Sequence, residues 1–105
     1  MRPSDERFMV FGFSSVVERD LVLENPSGRR DPIRVRVGVP RWFSDARDQA
    51  VCPVHIDGVL DGVKEIHGSD PFQALELALA FVQQNLDRPG GSGAKRVYWP
   101  DGESY

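Results

Sequence analysis

Thiols and imidazoles are scarce in this chain, which carries one cysteine and two histidines among 105 residues. A lone Cys52 cannot form an internal disulfide and cannot build a structural zinc site from several thiolates. It fits a reducing compartment, and the protein is expected to be cytoplasmic. The apolar run Phe8 to Phe13 is too short for a membrane span, and Asp5 and Glu6 ahead of it spoil it as a secretion signal. Positive charge is not in excess either. Lys and Arg number 13 against 16 Asp and Glu, a net charge of −3, which argues against a chain whose main business is neutralising phosphates.

Gly-rich phosphate loops, nucleophile elbows and paired-histidine helix motifs are missing as well. Gly90-Gly91-Ser92-Gly93 follows an expected helix instead of opening one, so its amides do not gather at a positive dipole end and it reads as a linker. No catalytic residue, metal ligand or cofactor is therefore assigned. The chain reads as nonenzymatic in preference to an enzyme.

Hydrophobic residues at 40% and charged residues at 28% place the chain among ordinary globular proteins, with enough length for one core and not for two. A single domain, 1–105, is expected. Its core should run from about 16 to 99, with flexible stretches at 1–7, 88–95 and 100–105.

The clearest local signal is Gly68 to Leu79. Asp70 can accept from the free amides of a first helical turn, Pro71 suits the first helical position, and Gln73 can close a capping box. A helix over Pro71 to about Leu86 then presents Phe72, Leu75, Ala78, Leu79, Val82 and Leu86 as one apolar stripe.

Strand patterns precede it. Val16 to Glu24 alternates, Asn25-Pro26-Ser27-Gly28 turns the chain, and Ile33 to Val39 alternates again with its arginines on the wet side. Val51 to Asp57 and Val63 to His67 form a second hairpin. A three-residue loop at Leu60-Asp61-Gly62 would pair Ile56 with Ile66 and His55 with His67, and burial favours that register. Arg96 to Trp99 is an expected last edge strand before a polar tail.

In that register His55, His67, Asp57 and Glu65 share one face, a donor set suited to zinc or another divalent ion, although polar neighbours are normal on a wet sheet face. Cys52 shares parity with Val54 and Ile56 and reads as a small buried hydrophobe. Arg29, Arg30, Arg34, Arg36 and Arg41 beside Trp42 and Phe43 imitate a nucleic-acid surface, but Glu18, Asp20 and Glu24 should answer them across the first hairpin. Arg19 has the parity of Val17, Leu21 and Leu23. It needs a partner such as Asp70 or Glu76, a bulge that turns it outward, or a margin where its stem snorkels.

Four motifs taken together resemble a group of small bacterial proteins classed as a domain of unknown function. They are Val17-Glu18-Arg19-Asp20-Leu21, Val35-Arg36-Val37-Gly38-Val39-Pro40, Cys52-Pro53-Val54-His55-Ile56-Asp57-Gly58 and His67-Gly68-Ser69-Asp70-Pro71-Phe72-Gln73-Ala74-Leu75. The likeness spans roughly Val16 to Leu86. It implies a bacterial origin and a compact, strand-rich domain with one helix, and it brings no catalytic residues.

The expected fold is α+β, an antiparallel meander sheet of four to five strands packed on one C-terminal helix. The expected function is that of a partner-binding protein of accessory, antitoxin or immunity type, with Arg41, Trp42, Phe43, Tyr98 and Trp99 as the residues suited to an interface. The alternative is a metal-binding module or metal-dependent enzyme using His55 and His67. A homodimer formed through a sheet face or a free edge, prompted by Phe8 to Phe13, is the third reading.

Overall fold

The structure is a computed structural model, and it describes residues 13–91 and 95–105. Most of the Phe8 to Phe13 run, the expected flexible stretch 1–7 and residues 92–94 of the linker lie outside the described residues.

Alternation in the first third of the chain folds into a long hairpin. Strand β1 is Ser15–Glu24 and β2 is Arg30–Gly38. The turn between them closes with Asn25 and Arg29 hydrogen-bonded and Gly28 at φ +87°, a conformation that a side chain would strain. Glu18 stands opposite Arg36 and Asp20 opposite Arg34, so the charges pair across the ladder as the alternation predicts.

After Val39-Pro40 the chain continues along the same edge as a two-residue strand β3, Arg41–Trp42. Both β2 and β3 pair with β4, Ala50–Ile56, and β5, Lys64–Gly68, pairs with the opposite edge of β4. Helix α1, Pro71–Asp87, and a short 3-10 turn, Pro89–Gly91, lead to β6, Arg96–Tyr98, which crosses over to pair with β1. The fold is α+β, an antiparallel sheet on one C-terminal helix, with six strands once β3 and the crossover strand are counted.

The second hairpin differs from its expected register. Ile66 faces Cys52, not Ile56, and His67 faces Val51, not His55. The connection is longer than a tight turn because Gly58 and Gly62 both take positive φ and Val59 and Leu60 fold onto the core instead of extending the strands. The slip is four residues along β4. An even slip leaves every side chain on its expected face.

Helix α1 starts where its signals place it. The Asp70 carboxylate accepts the Gln73 amide at 2.7 Å, and the Gln73 side chain accepts the Ser69 amide at 2.7 Å. Asp70→Ala should cost about 1 kcal/mol in urea unfolding. Combined with Arg19→Ala it should be additive, because Arg19 is held elsewhere, by Tyr105.

The buried arc of the helix matches the expected stripe only in part. Ala74, Ala78, Val82 and Leu86 are buried, whereas Phe72 is 74% and Leu79 47% exposed. Small residues let the helix approach closely: a Cβ on Gly68 would lie 2.5 Å from the Ala74 amide nitrogen. The core joins Leu21, Leu23, Val35, Val37, Cys52, Val54 and Ile56 to this alanine arc.

One helix, about 10 Å wide, spans about two strands at a spacing of roughly 4.8 Å. Here α1 lies over β4 and β5 and touches β2 only at the margin. The helix side of β1 near Val17 and Arg19 is therefore left open, and both residues are exposed.

Candidate functional site

The open flank of β1 and the side of α1 form a groove of about 290 Å³. Val17, Val35 and Val37 make its floor, and Leu79, Val82 and Leu86 make the helix wall. At one end, Arg19 donates to the Tyr105 hydroxyl at 2.9 Å, and that hydroxyl donates to Gln83 at 2.9 Å, so a strand residue and a helix residue are linked across the groove.

Tyr105 is positioned by the segment after β6. Residues 101–105, expected as a polar tail, turn back through hydrogen bonds of Gly102 to Trp99 and of Trp99 to Glu103, and Tyr105 donates its amide to Val97. The Trp99 and Tyr105 rings lie 4.9 Å apart, and the Arg19 guanidinium sits 5.2 Å from the centre of Trp99 and 6.0 Å from that of Tyr105. Two aromatic faces and one hydroxyl thus hold the cation in place. Among the described residues no carboxylate pairs with it.

The other arginines of the first hairpin, and Arg41, contrast sharply with this. Arg29 has Asp31 at 3.0 Å, Arg30 has Glu24 at 2.9 Å, Arg34 has Asp20 at 2.7 Å, Arg36 has Asp57 at 3.2 Å and Arg41 has Glu65 at 3.1 Å. The arginine cluster of the first hairpin is thus a neutralised face. Arg34 and Arg30 have their ordinary high pKa raised further, chiefly by hydrogen bonds to Asp20 and Glu24.

Arg41, Trp42 and Phe43 lie together at the β3 end of the sheet. Phe43 is exposed and meets the His67 ring edge-on at 5.5 Å, Arg47 lies over Trp42, and Trp42 packs partly into the core. Tyr98 and Trp99 stand at the far edge, beyond β1, with Arg30 stacked on Tyr98 at 4.0 Å. The five expected interface residues therefore form two separate patches, and of them Trp99 stacks beside Arg19 and Tyr105 at the end of the groove. Val17, Arg19, Leu79, Gln83 and Tyr105 were not among them. Their signal in the sequence was the misfit of Arg19, a cation with core parity.

The donor set considered for a metal is spread along the sheet. His55 Nδ1 donates to the Gly62 carbonyl oxygen and its Nε2 lies 3.3 Å from Asp57, His67 is bonded to Gln49, and Glu65 is engaged by Arg41. His55 and His67 occupy positions four residues apart along the ladder, roughly 13 Å of strand. Among the described residues no three His, Cys, Asp or Glu side chains come together as a metal-binding group.

Cys52 is fully buried, its sulfur 3.4 Å from the Gly38 carbonyl oxygen, and burial pushes its thiol up to about 11. Ellman's reagent should therefore fail to label the native protein near neutral pH and should label it in guanidinium. Because the folded-state value is raised, this thiol supports the fold fully below the ordinary thiol range near ~8.5, and the support falls as pH rises from there through about 11. Denaturant melts across that window should show the decline, and Cys52→Ala should remove this contribution to it.

Among the described residues, no helix is long and apolar enough to cross a membrane. Comparison with curated proteins and with solved structures finds no match. A family model does match, over residues 17–105, which takes in the groove and nearly all of the sheet and helix. On that match, the chain belongs to the family described as Domain of unknown function (DUF6968).

Proposed function

We propose that this chain is a partner-binding domain that captures an extended segment of another protein by strand addition to β1. One observation carries the reading. From Ser15 to Leu21, β1 has β2 on one edge and, among the described residues, no strand on the other, since β6 pairs only with Val22 to Glu24. Such an edge offers a row of backbone donors and acceptors, and alternate side chains of an added strand would enter the groove beside Val17.

A second copy of the chain is a poorer occupant. In an antiparallel self-pair centred on Glu18 that residue meets its own copy. Centred on Arg19, arginine meets arginine and Glu18 meets Asp20. Like charges directly opposite destabilise a ladder, so the protein should sediment as a monomer.

The test is selection from a displayed random-peptide library on immobilised protein, followed by binding to variants. Extended peptides should be enriched, and Val17→Lys, an inward-pointing charge at an exposed site, should weaken them at least about tenfold. Trp42→Ala should not weaken them. Peptides that depend on Trp42 and ignore Val17 would move the interface to the β3 patch, and no enrichment would refute strand addition.

A further inference from the structure

We infer that Arg19 sets the specificity of this edge by selecting a partner strand with a carboxylate opposite it and an aliphatic side chain two residues further on. The inference rests on the strand-addition reading and names the chemistry of the partner. Every pairing in this sheet is antiparallel, so an added strand runs opposite to β1. Its residue facing Arg19 then precedes by two the residue facing Val17. Read from the amino end, the partner carries an acidic, a non-acidic and an aliphatic residue.

Three observations point to the acidic position. The guanidinium is exposed at the end of an apolar groove, and among the described residues it has no carboxylate, unlike Arg30, Arg34 and Arg36 of the same hairpin. Of its five N–H donors, the Tyr105 hydroxyl takes one. Stacking beside Trp99 and Tyr105 already restricts its side chain, so less freedom is lost when a carboxylate docks.

The aliphatic position follows from Val17, which is 49% exposed and continuous with Leu79 across the groove. The intervening partner residue faces Glu18 on the other side of the sheet. There a carboxylate is excluded by like charge and a lysine is accommodated.

The experiment uses fluorescein-labelled peptides with a central Lys-Glu-Lys-Ile and the same sequence with Gln for Glu, titrated with the full chain by fluorescence anisotropy. The Glu peptide should bind about tenfold more tightly at about 50 mM salt, with the difference shrinking at about 0.5 M. Arg19→Gln should abolish the Glu-over-Gln preference, and its circular dichroism should match the parent. Equal binding of both peptides to the parent would overturn the specificity inference and leave strand addition standing. Failure of both to bind would overturn both readings.

Discussion

Gly68→Ala should cost about 3 kcal/mol in urea unfolding, the upper end of what overpacking by one carbon does. The added Cβ would lie 2.5 Å from the Ala74 nitrogen and 2.8 Å from its Cα. Those are backbone atoms of the first helical turn, and the Ala74 amide is already bonded to the Asp70 carbonyl oxygen at 2.9 Å. No side-chain rotation relieves the contact. The helix must lift from β5, which loosens Ala74 and Ala78 against the sheet, so Gly68→Val should leave little folded protein. A loss below about 1 kcal/mol in Gly68→Ala would mean that the helix and β5 are less closely seated than the geometry requires.

Asp57→Ala should be comparably damaging, on the order of 3 kcal/mol. One carboxylate oxygen lies 3.2 Å from the Arg36 guanidinium and 3.3 Å from His55 Nε2, while the other accepts the Arg34 amide at 2.9 Å. The Arg36 side chain is only 8% exposed. Truncating Asp57 therefore leaves a desolvated cation with less compensation and a backbone donor without its acceptor. Asp57→Asn, which keeps an acceptor for the amide, should fall between parent and Ala. Arg36→Met should be milder than Asp57→Ala, since an apolar side chain of similar length carries no charge to strand. Urea melts of the three variants give the ordering, and Arg36→Met as the worst of them would refute the account.

The helix start was legible to the residue because Asp70, Pro71 and Gln73 act within one turn and need no tertiary partner. The first hairpin was legible for a related reason: its turn residues and opposed charges all lie within Val16 to Val39. Sequence reading lost ground where distant packing decides. Periodicity placed Ala78, Val82 and Leu86 on the buried side correctly, but it also put Phe72 and Leu79 there, and both are exposed. Close approach at Gly68 selects Ala74 and Ala78 and turns Phe72 outward.

The second hairpin failed in register and held in parity. Val59 and Leu60 lie in the connection and serve the core from there. Of the groove, Arg19 alone gave a sign, as a cation out of place. Leu79, Gln83 and Tyr105 come from elements whose meeting depends on the helix covering two strands and no more.

The crossover of β6 has a kinetic side. Leu23 and Val97 are neighbours in the ladder yet about 70 residues apart in the chain, so their pairing closes a loop far larger than any other in the sheet. Only three residues of β6 repay that closure. Slow assembly and early release of β6 follow, and its amides should exchange with solvent sooner than those of β4. While β6 is away, no strand among the described residues covers the outer edge of β1 anywhere along its length, and the Trp99–Tyr105 support of Arg19 leaves with it. A newly folded or transiently opened chain would thus present a longer, less discriminating edge than the closed one, and selectivity for a bound segment would be the last property of this protein to mature.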